Sequence, residues 1–572
     1  MPSVEVTTAH PTAPRESADN HRGIAPGILA RPAGWTLCLT LLLAIAVWRI
    51  VSTYHVFNHT IDEPSHIACG IEWWEKGVYQ IETKHAPLAR ISVALGPYLA
   101  GVHAIEASTW RDTYPILSAD GHYWRNLTLG RIGVLPYFVI ATIVVFLWTK
   151  RLFGAPTALL AAAIFTLLPT MLAHSAVATT DVPLAAMFCC ALYAFTLWLR
   201  EPTWRTAAQF GVTTGLSLST KFSTLVFLPA CAAAILVFYA AAGQRNWRAL
   251  FRTLAVVALC AFFVTWAVYR FSHAPLNQVT KLPDRAAAKV FGNSSRVTAA
   301  VHHVTSWVPV PAPELFDGIR TLRNQNSEGY RGFLFDRVRM GGWWYFFLVA
   351  LALKTPLAVL LLAAVGVVAV VRRYSRNRGD WETVVPLAAA AMVMIVTAPS
   401  RINIGVRHVL PMYVFLSILA AVGLAMLWAR RDQRLISRTA AILLCAWLAI
   451  SSARSHPDYL AYFNEFGGRD PSRLLVVSDF DWGQDLARLS TYLREQQVKH
   501  VTIVFDGYFV PDSLGLPETL LITTQCDAKP AGWVAMEVRR ARLHPDCYPW
   551  LAQQHLITTV GKTMWIYYVR EP

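Results

Sequence analysis

Long apolar stretches alternate with short polar ones over most of the chain. A helix that crosses a bilayer needs about 20 predominantly apolar residues. By this measure we predict eleven membrane-spanning helices, of which the pair at 206–242 is also compatible with a re-entrant hairpin. The predicted helices are 34–53, 131–149, 156–173, 182–199, 206–220, 223–242, 249–270, 343–371, 383–399, 409–429 and 437–453. The pattern therefore predicts a polytopic α-helical membrane protein.

The composition agrees with this class of protein. Of the 572 residues, 55% are hydrophobic and only 15% are charged, whereas soluble domains carry about 25% charged residues. The net charge of +16 is spread over short loops rather than gathered in one patch, so we expect no nucleic-acid partner. Basic loops mark the cytoplasmic side, and here they are Lys150-Arg151, Arg200 to Arg205, Arg245 to Arg252, Arg372 to Arg378 and Arg430 to Arg438.

This charge distribution predicts a disordered cytoplasmic tail at 1–33, a membrane domain at 34–453 and an extracytoplasmic domain at 454–572. The membrane domain contains two large outer loops, at 54–130 and 271–342. The first has two amphipathic stripes, which predict helices that lie in the membrane interface or pack on the bundle. The second is long and rich in arginine (Arg320, Arg323, Arg331, Arg337 and Arg339), which is typical of a lid or binding loop.

The segment 454–572 predicts a small α/β domain. Its apolar, β-rich runs are Arg473 to Val477, His500 to Phe505, Gly532 to Val538 and Thr563 to Val569, with a helix-like run from Gln484 to Gln497. Cys526 and Cys547 are its only cysteines. Thiols in an oxidising compartment tend to pair, so we predict a disulfide between them, whereas Cys69 should remain a free, buried thiol.

Candidate chemistry begins in the first outer loop. Asp62 and Glu63 are adjacent carboxylates at a membrane surface, where anions are costly unless they are used. One of them could act as a general base, although both could also cap a helix at Pro64. Lys84 and His85 precede a proline-initiated helix and are candidate ligands for a lipid phosphate. The alternative for Lys84 is a lysine that extends to the membrane surface.

Two more clusters lie at outer helix ends. The stretch His174-Ser-Ala-Val-Ala-Thr-Thr-Asp181 predicts a polar substrate site, or a helix cap at Asp181. The stretch Arg401-Ile-Asn-Ile-Gly-Val-Arg-His408 places two arginines and a histidine in an outer loop, which suggests an anion site at Arg401, Arg407 and His408. Lys221 and Lys354 are weaker candidates, for which interface anchoring is the alternative. No sequence motif indicates a metal site, and a divalent metal stays open.

These stretches resemble the polyprenyl-phosphate-dependent glycosyltransferases of the GT-C fold, which include protein O-mannosyltransferases and the aminoarabinose transferase of lipid A. The matching motifs are Ile61-Asp-Glu-Pro-Ser-His66, Lys84-His-Ala-Pro-Leu88, His174 to Asp181, Lys354-Thr-Pro356 and Asn403-Ile-Gly-Val-Arg-His-Val-Leu-Pro411.

The resemblance implies an inverting glycosyltransferase. Its base would be Asp62, and the carrier phosphate would lie near Lys84 and Arg407. The expected donor is a polyprenyl-phosphate-linked sugar, and the acceptor is a lipid, glycan or protein at the outer face of a bacterial plasma membrane. Asp479, Asp481 and Asp485 in the carboxyl-terminal domain could bind a cation or sugar hydroxyls, or could mark a capped helix start. The alternative function is a transporter or flippase of lipid-linked sugars.

Overall fold

The computed structural model describes residues 32–244, 246–280, 295–430, 433–526 and 530–570. The expected disordered tail lies outside the described residues, apart from positions 32 and 33, which already belong to the first helix. Eight of the described helices are long and apolar enough to cross a membrane, or nine spans if one bent pair is counted. The eight are Ala33–Val51, Tyr123–Phe153, Asp181–Arg200, Thr224–Ala241, Trp247–Val268, Leu357–Arg376, Pro411–Ala429 and Arg434–Arg454, and the bent pair is Ala155–Leu167 with Pro169–Ser175.

The count of eleven spans is therefore not confirmed. Each of the eleven predicted stretches contains a helix, but two of these helices are shorter than the 18 residues that a membrane span needs here. They are Trp204–Leu218, with 15 residues, and Val385–Thr397, with 13. The stretch 343–371 is also not continuous, because it breaks before Pro356 into Phe346–Lys354 and Leu357–Arg376. A proline removes a backbone donor and disfavours helical geometry at the residue before it.

Small residues allow the helices of the bundle to approach closely. A Cβ atom on Gly366 would lie 1.8 Å from the carbonyl oxygen of Leu419, and one on Gly423 would lie 2.0 Å from that of Leu362. The helices Leu357–Arg376 and Pro411–Ala429 therefore pack backbone against backbone, as small residues permit in membranes.

The first outer loop contains the two expected helices, Glu63–Glu75 and Pro87–Leu99. They pack against each other, since a Cβ on Gly70 would meet the carbonyl oxygen of Arg90 at 2.1 Å. Their placement in the membrane interface stays a prediction. In the described part of the second outer loop, His273–Pro275 pairs with Pro309–Pro311, and Arg331–Leu334 forms a hairpin with Arg337–Met340. The helices of this part are Leu276–Val279, Ser295–Ser306 and Pro313–Glu328.

The carboxyl-terminal segment forms a five-stranded mixed sheet. In spatial order its strands are Glu518–Ile522, His500–Val504, Gly532–Glu537, Met564–Val569 and Thr558–Val560. The first three strands run parallel to one another, and Met564–Val569 runs antiparallel to the strand on each side of it. Three of the four predicted strands and the helix, Leu486–Glu495, are confirmed.

The predicted strand Arg473 to Val477 is wrong, because Pro471–Arg473 is a 3-10 turn and Val477–Phe480 is a helix. Pro471, which fixes its own backbone angle, starts that turn.

A disulfide joins Cys526 to Cys547, with an S–S distance of 2.02 Å, and Cys69 is free and buried. Both cysteine predictions are confirmed.

Candidate active site

A loop of the carboxyl-terminal domain, Ser478–Asp485, lies directly on the first outer loop. Asn58 joins the two: its Oδ1 accepts a hydrogen bond from Leu486 N at 2.8 Å, and its Nδ2 donates to the carbonyl oxygen of Gly483 at 2.7 Å. The amide of Ile61 donates to the carbonyl oxygen of Trp482 at 3.2 Å. These contacts place the domain and the candidate residues at the same end of the helical bundle.

Four charged side chains form a row of alternating sign beneath this loop. Arg407 Nη1 lies 2.6 Å from Asp62 Oδ2 and 3.8 Å from Asp181 Oδ2. Lys221 Nζ lies 2.5 Å from the other oxygen of Asp181. The row Asp62–Arg407–Asp181–Lys221 therefore brings together residues from four separate parts of the chain. Lys221 belongs to it, although interface anchoring was the alternative.

Asp62 is the accessible end of this row. Its side chain is 31% exposed, against 1% for Asp181. Burial alone would raise the pKa of the Asp62 carboxyl, but the positive charges of Arg407 and Lys84 outweigh this effect and hold the pKa below its ordinary value. Asp62 is therefore a partly exposed carboxylate with a lowered pKa.

Glu63 has a different environment. Its carboxylate oxygens lie 2.9 and 3.0 Å from two nitrogens of Arg131, and they accept backbone hydrogen bonds from Ala178 and Thr60. The Glu63 side chain is fully buried. Its lone pairs are occupied by this network, so the structure separates Glu63 from Asp62 and gives it a role in holding the loop.

Lys84 lies close enough to Asp62 for its positive charge to lower the pKa of that carboxyl, whereas His85 packs against His66. Lys84 forms an ion pair with Glu82 and keeps 22% of its side chain exposed. Glu82 is shared with the buried guanidinium of Arg90, whose Nε donates to His66 Nδ1 at 2.9 Å. The ring of His85 stands 5.1 Å from that of His66, and burial lowers its pKa, so His85 is uncharged.

The loop 401–408 is divided between two locations. Arg407 is in the charged row, and His408 follows it with a pKa that burial and the nearby Lys221 hold well below the ordinary value. Arg401 lies elsewhere: its Nη1 donates to the carbonyl oxygen of Ser327 at 2.5 Å. Gly405 separates the two, and a Cβ there would meet Ser478 Oγ at 2.4 Å, so this glycine lets the carboxyl-terminal loop approach.

His174 and Lys354 are both buried. The His174 ring packs edge to face with that of Trp482, 5.9 Å away. Lys354 Nζ donates to three backbone carbonyls, those of Leu460, Tyr462 and Asp479, at 2.8, 2.5 and 2.5 Å. The structure therefore brings His174 to the charged row and uses Lys354 to hold the segment 460–479.

The three aspartates of the carboxyl-terminal loop accept backbone hydrogen bonds. Asp479 receives the amide of Val406 at 2.8 Å, and Asp481 receives that of Arg539 at 2.8 Å. Asp485 receives the amides of Lys562 and Thr563. The alternative of a capped helix start does not account for them, because Asp485 makes no side-chain cap bond and Asn58 accepts from the first amide of the following helix. The three carboxylates instead accept from amides of other segments.

Several buried polar atoms around the row lack a hydrogen-bond partner among the described residues. They are His174 Nδ1, Ser175 Oγ, Thr179 Oγ1, Arg407 Nε and His408 Nε2. Buried polar groups are normally paired, so this group indicates a place for a polar ligand. Within the same described ranges, no three His, Cys, Asp or Glu side chains are grouped as for a metal ion.

Sequence reasoning missed Arg90, Arg131 and Trp482. The two arginines are completely buried next to carboxylates, but in the sequence they stand within ordinary helices. Trp482 lies in a stretch whose candidate residues were the aspartates Asp479, Asp481 and Asp485. No spacing rule connects these residues to the first outer loop, because they reach it through tertiary contacts.

Comparison with known proteins supports the predicted resemblance. Residues 128–269 match the sequence profile of the family described as dolichyl-phosphate-mannose-protein mannosyltransferase. The Pmt1–Pmt2 protein O-mannosyltransferase complex of S. cerevisiae, solved with its sugar donor, has a similar structure: the TM-score is 0.52 and the identity 10%, over 84% of this chain and 94% of that one. A comparison with curated protein sequences finds no significant match.

Two further solved structures are similar at lower scores. ArnT from Cupriavidus metallidurans, bound to undecaprenyl phosphate, matches with a TM-score of 0.47 and 13% identity, over 95% of this chain and 100% of that one. The oligosaccharyltransferase AglB from Archaeoglobus fulgidus gives 0.48 and 13%, over 88% and 69%.

The fold class is therefore confirmed: this is a multi-pass membrane protein of the GT-C fold with a small carboxyl-terminal sheet domain. The profile match also confirms the predicted class of enzyme, a glycosyltransferase, for the segment that it covers. Nothing in these comparisons supports the transporter alternative.

Proposed function

We propose that the protein transfers a sugar from a polyprenyl-phosphate carrier to an acceptor hydroxyl at the outer face of the plasma membrane, with Asp62 as the general base. The observation that carries this proposal is the exposed, ionised carboxylate of Asp62 at the end of a buried charged row. A base must be deprotonated and within reach of the proton it accepts.

The proposed reaction needs no redox partner. The acceptor oxygen forms a bond to the anomeric carbon of the sugar, and the bond from that carbon to the phosphate oxygen breaks. The hydroxyl proton passes to Asp62, and the carrier leaves as polyprenyl phosphate. Attack opposite the leaving phosphate inverts the anomeric configuration.

The leaving phosphate gains negative charge, which fixed cations stabilise. We assign this task to Lys84, whose side chain is 22% exposed, together with the Nε of Arg407, which has no partner among the described residues. The uncharged His85 and His408 can donate or accept a hydrogen bond beside these cations. Asp181 and His174 would contact sugar hydroxyls from the buried side.

The disulfide Cys526–Cys547 supports the proposed location, because disulfides persist in oxidising compartments outside the cytoplasm. The carboxyl-terminal domain and the site share one end of the bundle, so both would face outward.

Mass spectrometry of lipid and glycan extracts tests the function: cells without the gene should lack one sugar modification. Unchanged extracts, with no turnover of lipid-linked sugars by the purified protein, would contradict the proposal.

A further inference from the structure

Trp482 of the carboxyl-terminal domain lies against Arg407 and His174, at the centre of the site. Its ring centroid is 4.2 Å from Arg407 Cζ, and its ring packs edge to face with that of His174. Only 2% of Trp482 is exposed. The indole is therefore enclosed, with Ile61, Tyr114 and Val177 as its buried apolar neighbours.

The backbone of Trp482 is held by hydrogen bonds from both its amide and its carbonyl group. The Trp482 amide donates to Gln484 Oε1 at 2.7 Å, and its carbonyl oxygen accepts from Ile61, the residue before Asp62. Three residues before Trp482, Asp479 accepts a hydrogen bond from the amide of Val406, the residue before Arg407. The carboxyl-terminal loop thus holds the immediate neighbours of both Asp62 and Arg407.

Building on the proposed function, we propose that the carboxyl-terminal domain completes the active site and that Trp482 is a positioning residue, whose ring holds Arg407 against Asp62. The negative face of an indole attracts a cation placed over it, most strongly where water is excluded. Arg407 can still direct N–H groups towards Asp62 and Asp181, which lie 2.6 and 3.8 Å from its Nη1.

Removal of the ring should act on Asp62 through Arg407. A gap beside Arg407 would let the guanidinium move and admit water, so the carboxylate of Asp62 would lose part of its compensating charge. The other groups that interact electrostatically with Asp62 are Lys84, His66, His408 and Tyr114. Of these, Tyr114 packs in the same buried cluster as Trp482, so Tyr114→Phe, which keeps the ring and removes the hydroxyl, is included to show that a shift does not arise from Tyr114. Protonation of Asp62 should then begin at a higher pH.

The test uses the purified full-length protein and a water-soluble carbodiimide, which reacts with protonated carboxyls. Labelling of Asp62, read by peptide mass spectrometry over a pH series, reports its protonation without any activity assay. We expect the midpoint to rise by about one pH unit in Trp482→Leu. Trp482→Phe, which keeps an aromatic face, should remain near the wild type. If Trp482→Leu does not fold, Trp482→Met provides the same comparison.

The matched control is Trp565, another tryptophan of the carboxyl-terminal domain under an arginine. Its ring centroid is 5.3 Å from Arg542 Cζ, and it lies on the strand Met564–Val569. Trp565→Leu should leave the labelling midpoint of Asp62 unchanged. An unchanged midpoint in Trp482→Leu, or equal shifts in both variants, would overturn the positioning role. A wild-type protein that transfers no sugar would contradict the proposed function instead, and the labelling result would still decide the role of Trp482.

Discussion

Asp62 and Arg407 stand 345 positions apart in the sequence and form an ion pair, with Arg407 Nη1 2.6 Å from Asp62 Oδ2. This pair joins the first outer loop to the short loop before the helix Pro411–Ala429. It also keeps Asp62 ionised, since the charge of Arg407 outweighs the effect of burial on the carboxyl pKa. The pH dependence of the enzyme should therefore depend on Arg407.

The first prediction concerns that pH dependence. Because the pKa of Asp62 is lowered, the base should stay ionised down to pH values below the ordinary range of aspartate. On the acidic side, transfer by the wild type should lose activity only at pH values below those at which an ordinary aspartate becomes protonated. Arg407→Gln removes the compensating charge, so the acidic limb of the pH–rate profile should move to higher pH. Coincident acidic limbs in the two proteins would contradict this electrostatic coupling.

The second prediction concerns the carrier phosphate. Lys84→Ala should weaken binding of polyprenyl phosphate, because a charge-assisted hydrogen bond is worth roughly 1.5–3 kcal/mol, about one to two decades in affinity. Binding can be measured by titration of the purified protein in nanodiscs. Arg401→Ala is the control, since Arg401 is exposed and lies against Ser327. Equal affinities of Lys84→Ala and Arg401→Ala would remove Lys84 from the phosphate site.

The third prediction separates Glu63 from Asp62. Glu63→Gln leaves the buried charge of Arg131 without its counter-ion, which typically costs roughly 3–5 kcal/mol. We expect a clearly lower midpoint of thermal unfolding in detergent. Glu75→Gln, on the same helix but at its exposed end, should change the midpoint little. A Glu63→Gln protein as stable as the wild type would show that this ion pair does not hold the loop.

The fourth prediction concerns the bond between Cys526 and Cys547. Closure of a loop with a sequence separation of 21 should stabilise the folded domain by roughly 3 kcal/mol. Paired Cys526→Ser/Cys547→Ser substitution should increase proteolysis of this domain in intact membranes. Non-reducing peptide mapping of the wild type should recover the linked peptide. Two free thiols that only membrane-permeant reagents label would place the domain in the cytoplasm.

The sequence predicted the separate parts of the site better than their assembly. The motif that contains Asp62 and the stretch that contains Arg407 stand out by their polar residues next to apolar helices. Their contact depends on how those helices cross, which periodicity does not specify. Gly405 shows this limit: the residue is visible in the sequence, but the approach of Ser478 that requires a glycine there is not.

Residues that look alike in the sequence also differ in their roles, because the folded chain gives them different partners. Asp62 and Glu63 are neighbours with the same chemistry, yet only Glu63 faces Arg131, 68 positions away. Lys354 has the type and setting of a phosphate ligand, yet three backbone carbonyls occupy its ammonium group. The count of eleven helices was not confirmed for another reason, since apolar composition does not reveal where a short helix ends within the bundle.

The most direct test of the central claim is turnover by Asp62→Asn with a polyprenyl-phosphate-linked sugar as the donor. The substitution keeps the shape of the side chain and removes the base, so transfer should fall by about two to four decades while the protein still inserts and folds. Asp512→Asn, on the exposed side of the carboxyl-terminal domain, should retain wild-type turnover. Near-normal turnover by a folded Asp62→Asn protein would contradict the account.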